Sequence, residues 1–210
     1  MNTRFLYPKP GITFAFALLL IVSLSSYSQT PGKPKLVRNN FRNYDSLRAK
    51  QKKILGLDTL VYLDSAFNYS VKIPNWLHLR ETGSRKLWGG TMPAVDGIEN
   101  AIMITAFLKS EFKSFADFEY TYLTGNVFGQ PTKYSPNVVW YGQNNLVEIP
   151  HGVKQKVFTF WGNKIYHNQF ILIETKTAYL WIQFVATPET YDKNIGKFEE
   201  FMKGFAITNL

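Results

Sequence analysis

Cysteine is absent from this chain of 210 residues. Its absence excludes structural disulfides, thiol chemistry and the lipid-modified cysteine that anchors bacterial lipoproteins. Histidine is scarce, with His78, His151 and His167 as the three in the sequence, and no two of them are four residues apart. No acids accompany them at the spacing of metal ligands, so the sequence predicts no metal site.

Recognisable catalytic motifs are absent as well. The sequence contains neither a Gly-x-Ser-x-Gly nucleophile motif nor a phosphate-binding loop. Trp88-Gly89-Gly90 lacks the lysine and the helix start that a phosphate cradle requires. The paired carboxylates Glu199 and Glu200 fall on the polar face of a predicted helix, where solvation explains them. We therefore expect a protein that is not an enzyme, with no catalytic residue and no cofactor.

Long hydrophobic runs are confined to the first residues. Residues 12–24 are apolar apart from Thr13 and Ser23, and these 13 positions fall short of the roughly 20 that a membrane-spanning helix needs. Basic residues precede the run and small residues follow it, which is typical of a signal peptide. We predict that residues 1–28 are removed between Ser28 and Gln29. The product would be a soluble secreted or periplasmic protein that is not a lipoprotein, and an uncleaved anchor is the alternative.

Positive charge is concentrated near the start of the chain. Residues 30–56 hold eight Lys or Arg with Asp45 as the sole acid, so residues 57–210 are balanced although the chain carries +9. We predict that residues 29–56 are a basic flexible linker in which Asp45 can cap a short helix. This linker can contact an anionic surface or act as a solvated spacer. The balanced remainder offers no basic face, so nucleic acid is not an expected partner.

Residues 57–210 are long enough for one globular domain. Within them, residues 169–175 and 178–186 are rich in β-branched and aromatic side chains and predict a hairpin that turns at Lys176-Thr177. One face of this hairpin would carry Ile171, Ile173, Leu180, Ile182 and Phe184, and the other Phe170, Leu172, Tyr179, Trp181 and Val185. Both faces are apolar, which predicts central strands covered on both sides.

A helix is predicted directly after this hairpin. Thr187 suits the N-cap, Pro188 the first helical position and Gly204 the C-terminal stop. The expected apolar stripe consists of Tyr191, Ile195, Phe198, Phe201, Met202 and Phe205. This stripe predicts that the helix packs on the sheet.

The remaining pattern completes a fold class. We predict a hairpin over 60–73, a central strand at 101–108 and a helix at 114–123 capped by Ser114 and Asp117. Three further strands are expected at 138–141, 146–149 and 153–161, with turns at 143–145 and 150–152. The order of elements predicts an α+β domain, an α/β/α sandwich on a mainly antiparallel sheet of about six to seven strands.

Two long connections, residues 80–100 and 125–137, are rich in glycine and proline. Trp88, Phe128 and Tyr134 fall within them, where an exposed aromatic side chain can anchor a partner. We therefore take these three residues as candidate partner-binding positions. The alternative is that they fold back as lids over the ends of the sheet.

Two stretches resemble the PsbP-like family. They are Tyr69-Ser-Val-Lys-Ile-Pro-Asn-Trp76, and the strand over residues 179–186 with the helix that follows it. The resemblance covers about residues 58–207 and implies the PsbP-like sandwich. It also implies a role typical of the family, as a non-enzymatic accessory, chaperone or lipoprotein that binds a partner. The missing lipoprotein cysteine departs from many bacterial members, and no partner-binding residue can be transferred.

The sequence thus favours an exported, non-catalytic binding or assembly accessory module. Its partner would be another protein or a cell-envelope component, and its oligomeric state is left open. The alternative is a carrier of an apolar small molecule, held in a cavity between the closing helix and a curved sheet. Bulky side chains argue against a carrier because they would fill such a cavity; they are Phe158, Phe160, Trp161, Trp181 and Phe184.

Overall fold

The computed structural model describes residues 60–80 and 86–208, with the backbone alone at Gln143 and Asn144. The predicted signal peptide and basic linker lie outside these residues. The strands are β1 Leu60–Asp64, β2 Tyr69–Ile73, β3 His78–Arg80, β4 Leu87–Thr91, β5 Ala101–Leu108, β6 Pro131–Thr132, β7 Ser135–Ile149, β8 Gly152–Trp161, β9 Lys164–Glu174, β10 Ala178–Ala186 and β11 Phe205–Ile207. The α-helices are α1 Phe115–Glu119, which continues as a π-helical turn over Tyr120–Thr124, and α2 Pro188–Lys203. A 3-10 turn over Lys109–Glu111 follows β5.

The strands form two antiparallel sheets. The larger has eight strands in the order β3-β4-β5-β10-β9-β8-β7-β6, and the smaller has three in the order β1-β2-β11. The predicted α+β class with a mainly antiparallel sheet is confirmed. The predicted count of six to seven strands is wrong, because the main sheet has eight and the first hairpin belongs to a separate sheet.

Strand β4 explains part of the miscount, since the sequence placed Gly89 and Gly90 in a loop. A Cβ atom at Gly89 would lie 2.2 Å from the carbonyl oxygen of Ile102, and one at Gly90 would lie 2.5 Å from that of His78. These two positions therefore require glycine because neighbouring backbones approach closely. Glycines that mark a loop in the sequence here lie inside a strand.

Strand β7 is a single strand of 15 residues, so the predicted turn at 143–145 is wrong. The register between β7 and β8 shifts at two places, between Trp140 and Gly142 and between Asn144 and Val147. Asn145, at the second shift, has a φ of 23°. Polar turn residues here form a bulge within a continuous strand, which a pattern of local propensities does not distinguish from a turn.

The predicted hairpin of β9 and β10 is confirmed, with Tyr179 opposite Glu174. Its two faces organise the core. We call the first the aliphatic face; it packs against α2 and the three-stranded sheet, in a cluster that includes Ile171, Leu180, Ile182, Phe184, Tyr69, Val71, Phe198 and Phe201. We call the second the aromatic face; it packs against α1 and the π-turn, in a cluster that includes Phe107, Phe118, Tyr122, Trp140, Phe170, Tyr179 and Trp181.

Both predicted helix starts are confirmed. The Ser114 Oγ accepts a hydrogen bond from the backbone N–H of Asp117 at 3.2 Å, while α2 begins after Thr187 with Pro188 in its first turn. Tyr191, Phe198 and Phe201 of the predicted stripe are buried side chains of α2. Phe205, which the predicted stripe also included, lies instead in β11. Within residues 60–80 and 86–208, no helix combines the length and the apolar character required to cross a membrane.

Candidate functional site

Trp88, the first candidate anchor, is a core residue. It lies in β4 with 3% of its surface exposed, and its Nε1–H donates a hydrogen bond to the Tyr69 hydroxyl at 2.7 Å. Its ring also contacts Tyr62, with 5.0 Å between ring centroids. The expectation that Trp88 is an exposed loop residue is therefore wrong.

Tyr134, the second candidate, packs on the aromatic face. Its ring stacks on Tyr122 at 5.3 Å and meets Trp181 edge-on at 4.9 Å between centroids. Burial raises the pKa of the Tyr134 hydroxyl above its usual value. Tyr134 thus fits the alternative expectation, in which a loop aromatic folds back over the sheet.

Phe128, the third candidate, is a surface residue with 68% of its area exposed. The segment around it lies along β7: the Gly129 N–H donates to the Trp140 carbonyl at 2.7 Å, and the Trp140 N–H donates to the Gln130 carbonyl at 2.9 Å. These bonds hold the Phe128 ring 5.5 Å from that of Tyr141, measured between centroids. Phe128 is therefore exposed although its backbone is anchored.

Several exposed apolar side chains continue from Phe128 along β7. We define the edge patch as Val127, Phe128, Tyr141, Leu146 and Val147, all of which are exposed. Four of the five were not among the candidate partner-binding residues predicted from the sequence. Tyr141, Leu146 and Val147 were assigned to two short strands joined by a turn. Their position on one long outer strand follows from pairing with β8, which a local pattern does not encode.

The backbone of the edge patch is also open. Pairing of β6 with β7 ends at Val139, and the loop hydrogen bonds end at Trp140. Beyond Trp140, no strand in the described part of the chain pairs with the outer side of β7. Alternate N–H and C=O groups of such an edge strand point away from the sheet and can accept another strand.

The two sides of this open edge carry opposite charges. On the side of the aliphatic face, Val147 pairs with the exposed Lys154. On the side of the aromatic face, Glu148 pairs with the buried Val153. Glu119 of α1 lies near Glu148. Burial, and to a smaller extent the Glu148 carboxylate, raises the pKa of Glu119. The edge therefore presents an ammonium group on one side and carboxylates on the other.

The three histidines lie apart in the fold. His78 is on β3, His151 is in the turn before β8, and His167 is on β9. Burial and then the Lys156 ammonium lower the pKa of His167, while the Asp192 and Glu189 carboxylates act in the opposite direction. In residues 60–80 and 86–208, His, Asp and Glu side chains nowhere form a group of three that could hold a metal ion.

Comparison with known proteins identifies no family. No protein-family model matches the chain, and no curated protein sequence matches it. Among solved structures, it is similar to PA94 of Pseudomonas aeruginosa, a protein of unknown function, with a TM-score of 0.42, 14% identity and coverage of 69% of this chain and 94% of PA94.

Two further structures show a comparable likeness. Cyanobacterial PsbP from Synechocystis sp. PCC 6803 matches with a TM-score of 0.44 and 11% identity, over 71% of this chain and 92% of that protein. A Bacteroides thetaiotaomicron VPI-5482 protein matches with a TM-score of 0.42 and 12% identity, over 73% of this chain and 50% of its own. Because all three TM-scores are below 0.5, the PsbP-like resemblance stays a prediction of the sequence.

Proposed function

We propose that this protein is an exported, non-catalytic binding module of PsbP-like fold. In this proposal, the edge patch receives an extended segment of a partner protein, which adds a strand to the outer side of β7. The observation that carries it is the coincidence of an unpaired strand edge with exposed apolar side chains. Strand addition uses main-chain hydrogen bonds for affinity and alternate side chains for specificity.

The composition of the edge supports a binding role. Natural edge strands are commonly protected by lysine or proline, which discourage pairing with another chain. Residues 141–149 contain no Lys, Arg or Pro, and Glu148 is their one charged residue. The bulge between Asn144 and Val147 leaves a short regular stretch at the end of β7. We therefore expect the partner segment to be short.

The charges beside the edge define the chemistry of that segment. Successive side chains of an added strand would point to opposite faces of the sheet. Those on the side of Lys154 would favour acidic residues, and those on the side of Glu148 and Glu119 would favour basic ones. The partner is thus an extended segment of alternating acidic and basic residues, with apolar contacts to Tyr141 and Val147.

The carrier alternative has less support from the packing under α2. A ligand held between the closing helix and the sheet would lie where Phe184 and Phe198 stack, with 5.4 Å between their ring centroids. Both side chains are buried. Trp181 is also buried, although Phe158, Phe160 and Trp161 are half-buried rather than central.

Site-specific photo-crosslinking in the native host tests the proposed surface. A photoreactive amino acid at Phe128 or at Val147 should yield a discrete adduct. Val61 is the matched control, because it is also a valine on an outer strand and is 44% exposed, as is Val147. Adducts of equal yield at Val61 and Val147, or none at Phe128 and Val147, would contradict the proposal. An adduct with a second copy of the chain would indicate that the edge patch mediates self-association instead of binding another protein.

A charge substitution then measures the contribution of the edge to binding. Val147→Lys should weaken the affinity for the crosslinked partner by at least about tenfold, since it places an ammonium group within the apolar contact. Val61→Lys should leave the affinity within about twofold. Isothermal titration with the purified partner compares the two variants, and equal losses would indicate a general effect of added charge.

Export is tested separately by the mass of the mature protein. If residues 1–28 are removed, the exported chain begins at Gln29. An intact Met1 in the membrane fraction would support the uncleaved anchor and would contradict removal of residues 1–28.

A further inference from the structure

Asn194 is an unusual residue within the buried face of α2. It has 0% of its surface exposed. Neither its Oδ1 nor its Nδ2 has a hydrogen-bond partner among the described residues. A buried amide without partners is costly, and most such groups in native proteins bind protein atoms or ordered water. The apolar stripe predicted from the sequence does not include Asn194, although Asn194 lies on α2 between Tyr191 and Phe198.

A polar network lies one helical turn away from Asn194. Thr190, also buried, donates a hydrogen bond from its Oγ1 to the Asn100 Oδ1 at 2.8 Å. Asn100 is buried and immediately precedes β5. Because residues four apart on a helix are neighbours on one face, Asn194 and Thr190 form a continuous polar seam between α2 and the sheet.

We infer that Asn194 binds an internal water molecule within this seam. The side-chain amide offers both donors and an acceptor, and water is the small ligand that satisfies both. An ion would lack a counter-charge, since Asn194, Thr190 and Asn100 are neutral and a buried unpaired charge is strongly unfavourable. The Thr190 hydroxyl donates to Asn100 and therefore accepts from the Thr187 hydroxyl at 3.1 Å. It and the Asn100 Oδ1 each retain one unused lone pair that can accept a further hydrogen bond from the water.

This water would attach the first half of α2 to the sheet differently from the second half. Phe198 and Phe201 hold the second half by apolar packing. The first half has Tyr191 in the same apolar cluster and would in addition be held through the hydrated seam, whose hydrogen bonds would help to fix the rotation of α2 about its axis. Asn194 would thereby have a structural role as a polar residue on the buried, otherwise apolar face of α2.

Solution NMR on the purified protein tests the inference. Magnetisation transfer from a long-lived water to the Asn194 Nδ2 protons should give a cross-peak of dipolar origin. Exchange through the Thr190 hydroxyl could produce a similar signal, so the experiment is run in the laboratory frame and in the rotating frame. A dipolar contact gives cross-peaks of opposite sign in the two, whereas exchange gives the same sign. Absence of a dipolar cross-peak in the wild type would overturn the inference.

A crystal structure of the wild type provides a second, independent test. Density for one water within hydrogen-bond distance of both Asn194 Oδ1 and Nδ2 would support the inference. Both atoms bonded directly to protein groups would overturn it.

Discussion

The two faces of the eight-stranded sheet are covered in different ways. The aliphatic face is covered by α2, a regular helix of 16 residues, together with the three-stranded sheet. The aromatic face is covered by α1, which has five residues, and by the π-turn that follows it. On the aromatic face, contacts between rings compensate for the short helix; Phe112, for example, lies within about 6 Å of four other rings.

This difference shows two ways of closing a core. A long amphipathic helix buries a regular stripe, and its orientation follows from a period of 3.6 residues. A short helix cannot do so, and most of its stability comes from packing with distant residues such as Tyr134 and Tyr179. We therefore expect the two covers to respond differently to single substitutions.

The largest effect on the free energy of unfolding is expected for a buried side chain of α2. Phe198 is buried and stacks on Phe184, so Phe198→Ala should lower the free energy of unfolding by roughly 3–5 kcal/mol. The exposed Glu199 is the matched control on the same helix, and Glu199→Ala should change it by less than about 0.5 kcal/mol. Urea denaturation measures both, and equal effects would mean that the predicted orientation of α2 is wrong.

A smaller effect is expected on the aromatic face. Phe112 is half-buried among several rings, so Phe112→Ala should cost about 2 kcal/mol, less than a fully buried phenylalanine. Phe128→Ala removes the same side chain from the surface and should cost under about 0.5 kcal/mol. If Phe128→Ala destabilised the protein as much as Phe112→Ala, the edge patch would be part of the folding core rather than a binding surface.

Substitutions at the two helix N-caps should have smaller effects on the free energy of unfolding. Ser114→Ala removes the cap that accepts a hydrogen bond from Asp117 N–H and should cost about 1 kcal/mol. Thr187→Ala should cost less, because the Thr187 side chain makes no capping bond to the backbone of α2. Chemical denaturation of the two variants under identical conditions shows which one loses more free energy of unfolding. The reverse order would indicate that α1 contributes little to covering the aromatic face.

The smallest effect concerns His167, which lies beside the start of α2 on the aliphatic face. Its ring is 4.5 Å from that of Phe158 between centroids. Because burial and Lys156 lower its pKa from 6.5, the unfolded chain takes up the proton first as the pH falls below about 6.5. Stability should therefore decrease slightly between that pH and the lower pKa of the folded state.

An NMR titration of the His167 ring measures this shift directly. The midpoint should lie below 6.5, and Lys156→Gln should raise it by removing a nearby positive charge. In His167→Gln, this part of the loss of stability at low pH should disappear. A midpoint above 6.5 would mean that the Asp192 and Glu189 carboxylates outweigh burial.

Local sequence patterns determined the hairpin of β9 and β10, its two faces and the orientation of α2. In each case, the signal lies within a few residues, as in the cap at Thr187 or the alternation through Trp181. The predicted signal peptide and basic linker also depend on local composition, and they stay predictions because residues 1–59 are outside the described structure. Phe128 was found because an aromatic residue in a loop is conspicuous.

Tertiary pairing decided the rest. Trp88 is buried because Gly89 and Gly90 allow β4 to approach its neighbours, a condition set by the backbones of His78 and Ile102. The edge patch exists because β7 continues through a bulge at Asn145, pairing with β8 on one side while its outer side extends beyond β6. Such pairings join residues far apart in the chain, and their energies depend on neighbours that no local pattern contains.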